Sequence, residues 1–166
     1  MKILKHIIDK IFRKEDILRG DGNVYLRRWT LLRFNKTFWL WRFLKVADTR
    51  IYIHLFLNGD HTACLHDHPN DLISFIFWNG YEEEYWNPKT KKHEKVIYKA
   101  PCLRRFPASH THRVQLLNNN PAWSIVVMKK KVRDWGFWIT NTTNKKRKWI
   151  KWDKYYNDFG GNRGCE

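Results

Sequence analysis

Apolar and polar residues alternate in short runs along most of this chain, and the period is two. Tyr25, Arg27 and Trp29 alternate with Leu26 and Arg28, and Ser74, Ile76 and Trp78 alternate with Phe75 and Phe77. That period belongs to strands with two unlike faces. Runs rich in β-branched and aromatic residues predict strands over 25–32, 37–46, 51–57, 72–78, 81–86, 94–98, 103–106, 112–117, 122–128, 137–140 and 148–152. Turn formers separate them, at Asn58-Gly59-Asp60, Asn79-Gly80, Asn87-Pro88, Asn118 to Pro121 and Asn141 to Asn144. Asn79-Gly80 predicts a two-residue hairpin joining 74–78 to 81–86. Many short strands at this spacing predict an all-β sandwich or barrel.

The amino terminus has a different period. Leu4, Ile7, Ile8, Ile11 and Phe12 fall at helical spacing, interrupted by Lys2, Lys5, Lys10, Arg13 and Lys14. Residues 1–18 therefore read as a short basic amphipathic helix rather than a signal peptide, packed on the domain or on a twin subunit, with a place on a membrane surface as the lesser alternative. Arg19-Gly20-Asp21-Gly22 breaks the chain. No linker or repeat divides the remainder, so 19–158 reads as one barrel domain and 159–166 as a flexible tail.

Composition adds the kind of partner. The 166 residues carry 32 Lys+Arg against 16 Asp+Glu, a formal charge of +16, which favours anionic ligands. Ten Trp within 16% aromatic residues suit a ring-lined core or cleft. Cys64, Cys102 and Cys165 are odd in number and lack zinc-ribbon spacing, so reduced thiols in a cytoplasmic protein are expected. No apolar run reaches the roughly 18 residues of a membrane span. Neither a Gly-rich phosphate loop nor a nucleophile elbow is present.

The candidate chemistry lies in histidines. His66 and His68 stand at i and i+2 of an extended segment, which points both rings to one side. His112, on a later strand, offers a third imidazole. Three neutral nitrogens with positions left open make a working metal site. His110 shares a face with His112 and is a further candidate ligand, as is Asp71. Asp67, on the opposite face from its neighbours, is expected to cap a turn. Among Glu82, Glu83 and Glu84, the first and third share a face, and Glu82 and Glu84 are the candidate general bases. Arg104 or Arg105 must point inward and is a candidate clamp for a substrate acid group, with Trp78 beside it.

These motifs resemble those of the cupin superfamily, double-stranded β-helix (jelly-roll) barrels. The family's first motif, a His-x-His pair, then an acidic residue and a Gly at a turn, is similar to His66, His68 and Gly80. Its second, Pro-x-Gly-x-x-His, is similar to Pro107-Ala-Ser-His-Thr-His112, with Ser109 in place of Gly. The resemblance covers roughly 50–128 and is closest to small single-domain cupins of unassigned activity from bacterial and phage genomes. The family's acidic ligand would fall near Leu72 or Ile73, which cannot coordinate, and Asp71 lies just upstream. The resemblance implies a divalent metal, Fe(II) ahead of Zn, Mn, Ni or Cu, and an Fe(II)-dependent oxygenase acting on an anionic small molecule. Cupins also include isomerases, decarboxylases and non-catalytic binders. A barrel that sequesters a nucleotide-like or phosphorylated ligand is the second reading, and a basic nucleic-acid-binding protein the third. A homodimer is the expected assembly.

Overall fold

The described residues form two six-stranded antiparallel sheets, one ordered β1-β2-β3-β10-β5-β8 and the other β12-β11-β4-β9-β6-β7. In the computed structural model, residues 13–19, 21–34, 47–140, 146–159 and 165 are described. The strands are β1 (Lys14–Leu18), β2 (Val24–Arg33), β3 (Arg50–Phe56), β4 (Leu65–His66), β5 (Asn70–Trp78) and β6 (Gly80–Asn87). They continue as β7 (Lys92–Lys99), β8 (Cys102–Phe106), β9 (His112–Leu116), β10 (Ala122–Lys131), β11 (Gly136–Thr140) and β12 (Arg147–Lys151). The helix α1 (Trp152–Phe159) continues directly from β12. The architecture is a jelly-roll barrel, within the sandwich-or-barrel class that the alternation predicts and of the kind that the cupin resemblance implies.

The core forms where inward residues of both sheets meet. Ile76 and Ala122 from the first sheet pack with Tyr81, Val114 and Leu116 from the second. Leu72, Phe106 and Val126 form another cluster, and Cys64, Phe137, Ile150 and Tyr155 a third beneath α1. Burying such side chains contributes about 1.5–3 kcal/mol each.

Several expectations need correction. The stretch from Lys14 to Leu18, read as the end of a helix, pairs with β2 as an edge strand. Residues 1–12, the rest of that expected helix, and the expected strand at 37–46 lie outside the described residues. Asn79-Gly80 makes a tight turn but not a hairpin, because β5 and β6 belong to different sheets. Asn79 takes a left-handed φ of 53°, and a Cβ on Gly80 would stand 2.0 Å from the Tyr98 carbonyl oxygen. The turn itself is local chemistry; which strand each arm joins is decided by pairing over long distances. The thiols at Cys64 and Cys165 form a disulfide, their Cα atoms 5.1 Å apart, and only Cys102 is free. The tail is thereby pinned at Cys165 to the segment just before β4. No helix among the described residues is long and apolar enough to cross a membrane.

One buried histidine sets a pH dependence. His54 lies inside β3 opposite Ser124, and its Nε2 has no hydrogen-bond partner among the described residues. Burial, with the charge of Arg28, lowers its pKa from 6.5 to about 3. Between those values the unfolded chain binds a proton that the native one excludes, so stability falls as pH drops below about 6.5. The slope is about 1.4 kcal/mol per pH unit for one such group. Urea unfolding at pH 7 and pH 5 should therefore show a smaller acid loss in His54→Phe than in the parent.

Candidate metal centre

Three imidazoles meet at one end of the second sheet. His66 of β4 pairs directly across from His112 of β9, which brings their ring centroids to 5.1 Å. His68, two residues on, donates its backbone N–H to the Ala108 carbonyl at 2.9 Å. That bond holds its ring 4.9 Å from His112 and 5.2 Å from His66. Nε2 of His68 and Nε2 of His112 are 2.7 Å apart. One nitrogen from each of the three rings lies within 4.8 Å of the others, so the set can hold a metal ion.

The protonation of these rings suits that use. Burial lowers the pKa of His112 to about 4. Burial and the neighbouring imidazoles push His68 well below its ordinary value. Both are neutral at pH 7, the form that coordinates. Glu83 then selects the tautomer: its Oε1 accepts from Nδ1 of His112, which leaves the Nε2 lone pair facing the other rings. His66 turns its Nδ1 toward Oδ2 of Asp60, 3.9 Å away, too far for a hydrogen bond.

Glu83 is the residue that sequence reasoning missed. It is fully buried, and β6 presents it inward between Tyr81 and Tyr85 opposite Val114. Oε1 also accepts from Nε2 of His110 at 2.6 Å, and Oε2 pairs with the Arg104 guanidinium. Burial pushes this carboxyl up, but the bonds from His110 and His112 and the charge of Arg104 outweigh it and hold it far below the usual carboxylate range. The aromatic neighbours at i±2 were the available signal, because they mark the inward face. Glu82 and Glu84, the expected bases, face outward instead. Glu82 pairs with Lys95 at 2.8 Å, and Glu84 with Arg113 at 2.7 Å and His93 at 2.8 Å.

The other expected site residues have different places. Asp71 accepts the Ala108 N–H at 2.9 Å, bracing the loop that carries the second motif, and its oxygens are not in the cluster around His66. His110 stands behind His112, grouped with Glu83 and not with His66 and His68. Arg104 is the inward arginine, but Glu83 and the Tyr81 hydroxyl occupy its Nη atoms and the Tyr98 ring lies 3.8 Å from its centre. It has an internal partner where a substrate acid was expected. Arg105 is exposed. Trp78 is 62% exposed, because a bulge around Phe77 shifts the register between Trp123↔Trp78 and Ser124↔Ile76 and turns its side chain out.

Asp67, expected to cap a turn, is a buried hub. Its Oδ1 accepts the Gly136 N–H at 2.8 Å, and Oδ2 accepts from the Trp149 indole at 3.0 Å and pairs with Arg133 at 2.9 Å. The residue between the two histidines is thus bolted to β11. A Cβ on Gly136 would stand 2.2 Å from the Ile150 carbonyl oxygen. Gly136→Ala should therefore force β11 and β12 apart at a cost of about 1–3 kcal/mol, read as a lower urea midpoint.

A cleft of about 470 Å³ opens on His66. Tyr25, Phe137, Trp135, Trp152 and Tyr156 supply its aromatic walls. Trp135 and Trp152 stack with centroids 5.9 Å apart and planes within 7°. Its size and lining suit a small organic molecule.

No family model matches the sequence, and no curated protein matches it either. Solved structures do. HppE with Fe(II) in complex with substrate superposes with a TM-score of 0.53 at 11% identity, over 72% of this chain and 57% of that one. Fe(II)-HppE with the alternative substrate (S)-1-HPP gives 0.52 at 10% identity, over 69% and 54%. The 7S globulin of Momordica charantia gives 0.53 at 10% identity, over 80% and 37%. The chain thus spans little more than half the length of HppE and about a third of the globulin. Identities this low establish shared architecture only. The barrel, its strand order and these likenesses together show that the chain has the cupin fold.

Proposed function

We propose that this protein is a metal-dependent cupin in which His66, His68 and His112 hold a divalent cation, and that an anionic small molecule binds in the aromatic cleft that His66 lines. The observation that carries this is the convergence of three imidazole nitrogens, one of them oriented by a buried carboxylate. Neutral imidazole sites with open positions suit Fe(II), and Zn, Mn, Ni or Cu also fit them. Fe(II) is favoured because HppE, which shares the fold, carries it. When bound, the ion would supply Lewis acidity or a site for O₂ beside the substrate.

The protein's own residues prepare that site. Glu83 keeps the His112 proton on Nδ1, Asp67 ties the segment between the two histidines to β11, and Trp135 and Trp152 line the cleft. Neither Glu83 nor Asp67 has an oxygen free of protein partners to serve as a general base. That saturation also favours a second reading, a barrel that binds its ligand without transforming it.

Elemental analysis of protein purified without a metal-binding tag tests the proposal. About one equivalent of a transition metal, removed by chelator and restored on dialysis, is expected. Less than about a tenth of an equivalent under every metal tried would overturn it.

A further inference from the structure

We propose that the outer face of the first sheet, along β5 and β8, docks onto an anionic lipid surface. Strand alternation builds this face. In β5, Leu72, Ser74 and Ile76 are buried, so Ile73, Phe75 and Phe77 point outward. Leu103 of β8 stands opposite Phe75, and Ile125 of β10 opposes Phe75 on the other side. The bulge around Phe77 adds Trp78, and the Trp123 ring lies 6.2 Å from that of Phe77. Leu103 is 71% exposed, Trp78 62%, Phe77 40% and Phe75 38%. Large apolar side chains left open side by side, unlike scattered ones, mark a surface that binds something.

The rim of the patch is cationic. At one end, the exposed Lys99 lines a groove of about 470 Å³ with Phe77, Trp78 and Pro101. At the other, the exposed Arg105 stands opposite Ile73, and Lys129 follows Val127, the β10 partner of Ile73, by two residues. None of these three cations has a carboxylate partner among the described residues. The segments 72–78, 99–106 and 121–129 contain no Asp or Glu at all. Asp71, the next acid along β5, is committed to the Ala108 N–H.

Charge complementarity chooses the partner. Indole and phenyl rings settle where lipid headgroups meet hydrocarbon. Lys and Arg beside them are drawn to an anionic leaflet, each worth about fivefold in affinity. A second copy docked here would bring the same cations together, with no acid on either face to answer them. A nucleic-acid strand would meet apolar side chains where its phosphates need donors. The three histidines belong to the other sheet, so this surface serves the protein with or without a metal.

Co-sedimentation of the full chain with phosphatidylcholine vesicles, with and without phosphatidylserine at about a third of the lipid, tests this. The anionic vesicles should bind at least about tenfold more tightly, and added salt should shrink that advantage. Lys99→Gln with Arg105→Gln should lower affinity for the anionic vesicles by about 25-fold and leave the neutral ones unchanged. Trp78→Ser with Leu103→Ser should lower affinity for the anionic vesicles by at least about tenfold. Both positions are open to solvent, so the urea midpoint should not move. Binding that phosphatidylserine does not strengthen overturns the proposal. So does binding to anionic vesicles that both double variants retain, which would place the contact elsewhere on the chain. A dimer in lipid-free solution that Trp78→Ser with Leu103→Ser takes apart, read by sedimentation velocity, also overturns it and gives the face to a second copy.

Discussion

His112→Ala should empty the metal centre, lowering bound metal from about one equivalent to below a tenth and weakening affinity by more than about a hundredfold. The ring is irreplaceable for geometric reasons. It faces His66 across the β4–β9 pair, its Nε2 is the nitrogen nearest His68, and its Nδ1 is the one held by Glu83. Removing it leaves two rings with no shared third lone pair, and His110 is tied to Glu83 on the far side. His93→Ala is the matched control, since that ring sits at the surface against Glu84 and should leave metal content unchanged. Plasma emission spectrometry on the two variants side by side decides the matter. Equal metal in both would refute the assignment.

Glu83→Gln is expected to have the larger effect on the fold. The change keeps the shape but removes the carboxylate that pairs with Arg104, whose side chain is 6% exposed. Breaking one partner of a buried ion pair costs about 3–5 kcal/mol, because the other charge stays uncompensated. The same substitution weakens the acceptor for Nδ1 of His112 and should cost a further factor of about 10–100 in metal affinity. The two losses can be separated. Glu83→Gln combined with Arg104→Met removes both buried charges and should recover most of the stability, read by urea unfolding, without recovering metal affinity. If the double variant restored metal binding fully, Glu83 would matter only as a counter-ion to Arg104.

The barrel was legible because strand period and turn chemistry are local. Ten of the strands it suggested lie among the described residues, and each of those ten coincides with a strand to within a few residues. What local signals cannot carry is partnership. Nothing in Asn79-Gly80 says that its arms belong to separate sheets, nor does Cys64 advertise a partner 101 residues away. The two-residue strand β4 is too short to show a period, yet it carries His66. Within the site, spacing sufficed to single out His66, His68 and His112, which the structure brings together. It misjudged the carboxylates, because an inward Glu reads as a surface residue until its neighbours are weighed, and Tyr81 and Tyr85 carried that information. Trp78 was lost to a bulge, which breaks the very alternation used to place it.

Asp67 makes the chain intolerant of slippage at this point. Successive side chains leave a strand on opposite faces, so a shift of one residue would trade the roles of His66-Asp67-His68. A carboxylate would then point at His112 and two imidazoles at the indole of Trp149, where neither has a use. An insertion or deletion ahead of residue 66 would have to be absorbed before Cys64, whose bond to Cys165 fixes the approach. Length variation among natural homologues should therefore spare this stretch and gather in the loops beyond it.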